Sequence, residues 1–352
     1  MKAYHIQKNF KREWEKKILH WYSLNKRDLP WRNKENQIFY KIWISEIMLQ
    51  QTQVSVVIPF YSKFIKKWPT LEDFYKAKLD DILLIWQGMG YYRRAHNLFK
   101  AKEILKKNRN ITISSSFLRK LPGIGEYTSG AIAAILKDET CSVVDGNIER
   151  ILKRVFNLKS NDKFLKKKIR EISALLTPNK NNGIYCQSLM DLANLICKVK
   201  NPKCEICPVF KYCESKGVLE FKEKKITTYK VTVAFVISFE KTFLVTKNSK
   251  KLLQNLFSFP MNEFENFDKR FEIKKYLDKS ISEWTIKKDI KNVHEYIGEV
   301  NHKFSHFQLK VLIVKLRSLR KFKLNNFYWL TREELNERAI SKLMSKIREK
   351  VG

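Results

Sequence analysis

The sequence predicts two folded regions of different class, an all-α region at residues 1–213 and an α+β domain at 230–352, joined by a linker at 214–229. Three observations predict this. Up to Cys213 the apolar residues recur at helical spacing with no convincing alternating stretch. The next segment, ESKGVLEFKEKKITTYK, has no periodicity. Beyond it Val231, Val233, Phe235, Ile237 and Phe239 alternate with the period of a strand.

Each element follows from its local pattern. Helical runs cover 40–51, 94–107, 127–136, 148–156, 164–176 and 183–197. Pro30, Pro59, Pro69, Pro122, Pro178 and Pro202 cut or start helices, because proline lacks the donor that a helix interior needs. In the second region, strands at 231–239 and 242–246 flank a two-residue Glu-Lys turn, and 309–316 alternates again. A last helical run covers 332–350.

Charge narrows the function. The 352 residues carry 70 Lys and Arg against 36 Asp and Glu, a formal net charge of +34, while 44% are hydrophobic, enough to bury real cores. A disordered basic tail is thereby excluded. No apolar run approaches the roughly 18 residues of a membrane span, and the opening MKAYHIQKNFKREWEKK is too polar for a signal peptide. The expectation is a cytoplasmic protein with no membrane association by insertion. Its partner is expected to be a polyanion, nucleic acid first and an anionic membrane surface second, because Lys and Arg release counterions condensed on phosphates.

Only 10 glycines occur, and Gly88, Gly90, Gly123, Gly125, Gly130 and Gly146 fall in one window where ligand contact is expected. Four of the six cysteines, Cys197, Cys204, Cys207 and Cys213, form C-x6-C-x2-C-x5-C. So many thiols in one short loop call for a metal where disulfides are not maintained. Zinc held by four cysteines normally pairs two C-x2-C knuckles, and here only Cys204 and Cys207 form one, which favours an iron-sulfur cluster. Lys198, Lys200 and Lys203 crown the loop, either as a solvated charge run or as phosphate contacts.

LPGIG, from Leu121 through Gly123 to Gly125, precedes a helical run and fails the dinucleotide fingerprint, since SSSFLRK before it is no strand. A hairpin between two helices fits, with backbone N–H groups able to hold a phosphate. Asp145 in VVDGNIERI stands directly before a helix, where its carboxylate can cap the first amides. Glu46 sits on a helix that otherwise offers Ile42, Trp43, Ile47, Met48 and Leu49 for burial; desolvation there raises a carboxyl pKa and suits a general acid.

With these residues assembled, LPWR (29–32), SEIMLQQTQV (45–54), GMGYYRRAHNL (88–98), LPGIGEYTSGAI (121–132), VDGNIERI (144–151) and the cysteine loop resemble the A/G-specific adenine DNA glycosylases. These belong to the helix-hairpin-helix superfamily that also contains endonuclease III. The resemblance implies a helix-hairpin-helix glycosylase region with an iron-sulfur loop, then a Nudix-like domain. It implies one 4Fe-4S cluster on the four cysteines. It also implies duplex DNA with A opposite 8-oxoguanine or G as substrate, acted on by a monomer associated with the nucleoid. Glu46 is then the acid that protonates adenine, and Asp145 the anion beneath an oxocarbenium-like sugar. Gln51 and Tyr91 match positions that wedge into or brace the opened duplex, while Trp31 and Arg32 match residues around the adenine pocket.

The resemblance also shapes the remaining expectations. Endonuclease III carries a nucleophilic lysine two residues after its hairpin, and Tyr127 stands there, implying a monofunctional enzyme. In the last domain KFSHFQL, with Phe304, Ser305 and His306, resembles the F-S-H loop that recognises 8-oxoguanine. The domain lacks a glutamate-rich Nudix box, so it is expected to read DNA and hydrolyse nothing. Its usual G-L-W signature is replaced by LQNLF at 253–257. Two competing readings, a glycosylase with lyase activity and a DNA-binding redox protein, are opposed by Tyr127 and by the presence of both carboxylates.

Overall fold

The computed structural model describes residues 8–108, 111–217, 228–249, 253–268, 271–285, 290–304 and 306–352. Its helices are α1 Lys8–Asn25, α2 Phe39–Leu49, α3 Val54–Lys67, α4 Leu71–Tyr75, α5 Leu79–Trp86, α6 Arg93–Lys107, α7 Ser115–Leu118, α8 Glu126–Lys137, α9 Gly146–Val155, α10 Leu165–Leu176 and α11 Asn182–Leu195. After these come β1 Tyr229–Phe239, β2 Thr242–Lys247, β3 Phe257–Ser258, β4 Glu265–Asn266 and α12 Ile273–Thr285. The chain continues through β5 Ile290–Lys303, β6 Gln308–Ser318, β7 Phe327–Thr331, α13 Arg332–Asn336 and α14 Lys342–Val351. An all-α stretch is thus followed by an α+β one, as the periodicity predicts.

Two compact units result, Met1–Lys76 with His96–Phe221 and Ala77–Ala95 with Lys222–Gly352. Side chains explain why 77–95 joins the second. The Ile340 amide donates to Gln87 Oε1 at 3.1 Å, Tyr92 Oη donates to Ile340 O at 3.3 Å, and Lys247 Nζ reaches both Asp80 carboxylate oxygens at 3.0 Å. At the start of the predicted linker, the Glu214 and Ser215 amides donate to Val155 O and Arg154 O at the end of α9.

In the first unit, α9 buries Ile148, Ile151, Leu152 and Val155, the i, i+3, i+4, i+7 stripe of an amphipathic helix, against Trp14, Ile18, Ile172 and Leu189. Helices α8 and α11 approach unusually closely. A Cβ on Gly183 would stand 2.7 Å from Ala134 O, so only glycine fits at that crossing. The crossing joins the last turn of α8 to the first turn of α11.

In the second unit, the sheet runs β3-β2-β1-β6-β5, with β4 paired to β1 and β7 to β2. Strands β1 and β6 are parallel in register Val233↔Leu312, while β5 pairs antiparallel with β6. Both faces are covered. Ala234, Val236 and Ile313 pack under Leu343, Met344 and Ile347 of α14; Val233, Phe235 and Val314 pack with Tyr276 and Ile281 of α12. Strand β1 is therefore buried on both sides, including Thr232 between the alternating residues. The predicted 332–350 helix is two helices. The break holds buried Ala339 and Ile340, and Ser341 starts α14 by accepting from the Met344 amide at 3.1 Å.

Candidate active site and cluster loop

A cleft of about 950 Å³ opens in the first unit between the end of α2, the turn before α8, the start of α9 and one face of α11. It brings together Trp31, Arg32, Glu46, Gln51, Gly123, Gly125, Tyr127 and Asp145 from the sequence-derived set. The size lies within the range of small-ligand sites.

Glu46 is half-buried on α2, whose residues Ile42, Trp43, Ile44, Ile47 and Met48 are all buried. Burial pushes its carboxyl up to about 7, the negative charge of Asp145 adds to the rise, and the Arg32 guanidinium opposes it. Asp145 caps α9. One of its oxygens accepts from the Asn147 and Ile148 amides at 2.9 and 2.8 Å, and the other accepts from Asn147 Nδ2 at 2.9 Å. Burial raises its pKa too, and those donors and Arg150 oppose the rise. Near neutral pH the Glu46 carboxyl is therefore close to its midpoint of protonation.

Tyr127 lies in the same wall and donates to the buried Cys186 thiol; burial and the two carboxylates raise both pKa values, so phenol and thiol stay neutral. Trp31 is buried with its ring edge-on to Tyr61 at 5.3 Å. Arg32 forks onto Asp191, with Nη1 donating to Oδ2 at 2.8 Å and Nη2 to Oδ1 at 2.9 Å, and the Arg27 amide and Nε donate to the same carboxylate. Burial works to raise the Asp191 pKa, and the two arginines outweigh it.

The turn before α8 is tightly built and leaves the first amides of the helix without a side-chain cap. Gly123 has φ +83°, and a Cβ there would meet Asn97 Cβ at 2.8 Å. Gly125 caps α8 with no side chain on the first amides. Gln50 Nε2 donates to Gly123 O and Thr128 Oγ1, both at 3.1 Å, tying α2 to the hairpin. Leu121 contributes differently from expectation: its side chain is buried and its amide donates to Leu118 O, so it supports the turn from behind. Gln51 is exposed at φ +58°. Tyr91, in the second unit, is also exposed and left-handed, at φ +50°.

Sequence reasoning missed Arg27, Asn147, Arg150, Asp191 and Gln187. Arg150 links the start of α9 to the cysteine loop. Its Nη atoms donate to Asn147 Oδ1, which joins it to Asp145, and its Nε donates to Cys197 O at 2.9 Å. The only sequence signal was proximity to Asp145 within VVDGNIERI.

Cys197, Cys204, Cys207 and Cys213 line one small cavity with Ile151, Leu192 and Val209 behind them. Arg154 binds the loop, donating to Cys197 Sγ at 3.3 Å, Lys198 O at 2.7 Å and Val199 O at 3.0 Å. Among the described residues no three ligand-type side chains converge on a single-ion position. Four thiols lining one cavity fit the donor set of an iron-sulfur cluster. Lys198, Lys200 and Lys203 are exposed on this loop.

In the second unit Phe304 and His306 lie in the turn between β5 and β6, and Ser305 lies outside the described residues. The Phe304 ring stacks on Phe307 at 4.7 Å and packs against the sheet core, leaving His306 exposed.

Comparison with known proteins agrees with this two-part fold. Residues 44–178 match the HhH-GPD superfamily base excision DNA repair protein model, 197–213 the iron-sulfur binding domain of endonuclease III, and 232–350 the NUDIX domain. Adenine DNA glycosylase of Buchnera aphidicola subsp. Schizaphis graminum is 38% identical over 319 residues, covering 87% of this chain and 88% of that protein. The human adenine DNA glycosylase is 34% identical over 214 residues, 58% of this chain and 39% of that one. Among solved structures, a thermostable thymine-DNA glycosylase superposes with a TM-score of 0.52 at 27% identity, over 58% of this chain and 96% of its own. An endonuclease III–DNA complex, at TM-score 0.50 and 20% identity over 60% of this chain and 97% of its own, shares the fold. A helix-hairpin-helix region with an iron-sulfur loop, a Nudix domain and this extent of identity place the chain in the adenine DNA glycosylase family.

Proposed function

We propose that the protein is a monofunctional glycosylase that removes adenine mispaired with 8-oxoguanine or guanine in duplex DNA. The observation that carries the proposal is the pairing of Glu46 and Asp145 in one cleft, one with its carboxyl pushed up to about 7 by burial and the other held by two backbone donors. Adenine leaves as a good leaving group once its N7 is protonated, and Glu46 supplies that proton. Positive charge then develops on the sugar, the Asp145 carboxylate stabilises it, and a water molecule adds at C1′ and loses a proton to leave the abasic site. Tyr127 stands where a lysine would form a Schiff base, and its neutral phenol leaves the abasic strand intact.

The adenine must first leave the stack. Gln51 and Tyr91 act as wedges, with Trp31 and Arg32 around the adenine pocket. Backbone amides at Gly123 and Gly125 hold a phosphate, and Lys198, Lys200 and Lys203 hold others. Cys197, Cys204, Cys207 and Cys213 would hold one 4Fe-4S cluster, whose contribution is to cross-link the loop that carries these lysines. Ser305 and His306 read the lesion opposite the adenine, and the enzyme acts as a monomer on nucleoid DNA.

The test is a single-turnover assay on a duplex with one A·8-oxoguanine pair, with and without borohydride. Release of free adenine from an uncleaved strand without covalent capture is expected. Efficient trapping of protein on DNA contradicts the monofunctional reading, and absence of adenine release contradicts the whole.

A further inference from the structure

We propose that Arg94 is the positioning residue that holds Tyr91 as a rigid wedge; the inference rests on the wedge reading of Tyr91 given above. Tyr91 is 46% exposed although its backbone lies in the left-handed region, where a bulky side chain is strained. It follows Gly88 and Gly90, at φ +96° and +80°, and a Cβ on Gly90 would meet nothing within 4 Å, so glycine there serves the backbone conformation alone. A turn built this way needs an outside clamp.

Arg94 supplies it from three residues on. It is 7% exposed, and its guanidinium lies 5.5 Å from the centroid of the fully buried Trp86 ring and 5.3 Å from that of Tyr91. Its Nη2 donates to Gly90 O at 3.1 Å, the carbonyl that also accepts from Trp86 Nε1 at 3.2 Å. Its own amide donates to Tyr91 O at 2.9 Å. One planar cation thus binds the ring of Tyr91 and the carbonyl just before it, which a lysine ammonium cannot do in the same geometry. Burial lowers the Arg94 pKa to about 10, and the charge survives at neutral pH. A wedge ordered before binding loses little conformational freedom on entering a duplex, so the clamp favours the step in which the base stack is opened.

A residue that merely staples the fold affects every substrate alike, whereas a wedge clamp matters only where a stack has to be opened. Single-turnover excision should be compared on a fully paired duplex with one A·8-oxoguanine and on the same duplex with the adenine inside a short unpaired bubble. Arg94→Met and Tyr91→Ala are each expected to lose about tenfold on the paired duplex and less than about twofold on the bubble, with the double variant no worse than Tyr91→Ala. Arg94→Lys, which keeps charge and stem, is expected to lose about threefold on the paired duplex alone, and it carries the test if Arg94→Met does not fold. Equal loss on both substrates overturns the positioning role, as does a parent-like Arg94 variant beside a selective Tyr91→Ala. A non-selective Tyr91→Ala overturns the wedge reading itself.

Discussion

The cleft of the first unit and the β5–β6 turn of the second hold their side chains in place with different materials. In the cleft, functional groups are fixed by other polar groups: Asp145 by three donors, Arg32 by Asp191, the hairpin by Gln50. In the turn, placement comes from stacked rings, Phe264, Phe304 and Phe307, beneath an exposed His306. The difference teaches where charge has to be held still. Chemistry on a sugar needs a carboxylate whose position and ionisation are both specified, whereas reading a base edge needs a hydrogen-bonding tip on a stiff apolar base.

The comparison is broken most severely by Asp145→Asn. It should lower single-turnover excision by about 10³-fold while duplex binding persists, because a neutral amide cannot offset the sugar cation. Near-normal excision would show that the anion lies elsewhere. Next is Asp191→Asn, which leaves Arg27 and Arg32 facing a buried neutral group. A loss of about 3–5 kcal/mol in denaturant unfolding is expected, and an unchanged midpoint would mean that the arginines find other partners.

Glu46 gives a smaller effect of opposite sign. Its folded pKa of about 7 lies above that of the unfolded chain, so the folded state binds more protons between the two values and stability falls as pH rises through that window. Glu46→Gln should therefore lose excision yet unfold about 1–3 kcal/mol later at pH 8, with no such gain at pH 4. A gain of equal size at both pH values would show that ionisation is not its source.

In the second unit, His306→Ala together with Ser305→Ala should narrow the affinity gap between A·8-oxoguanine and A·G duplexes by about 1–3 kcal/mol while A·G excision stays intact. Unchanged discrimination at matched salt would locate lesion reading elsewhere. Smallest of all, replacing any one of Lys198, Lys200 and Lys203 should reduce the slope of log affinity against log salt by about 1, without altering discrimination.

The same contrast governs what was legible beforehand. Glu46, Asp145 and the four cysteines stand out in sequence because their chemistry demands particular residue types within short motifs. Asp191 did not, since its meaning depends on Arg27, 164 residues away. Leu121 belongs to the hairpin motif yet serves it by packing, a distinction that spacing alone does not carry. Strand β5 lacks clean alternation because it is an edge with two register shifts, and the break between α13 and α14 was hidden because Ala339 and Ile340 keep the apolar pattern of a helix while being buried in an interruption.

The pH dependence of single-turnover excision on an A·8-oxoguanine duplex tests the central claim most directly, because it reads both carboxylates in the working enzyme. The account predicts a rate that declines above pH about 7 as Glu46 loses its proton, and that falls again at acid pH as Asp145 gains one. A rate that rises steadily from pH 6 to 9 would contradict it, because Glu46 would then be working as a base.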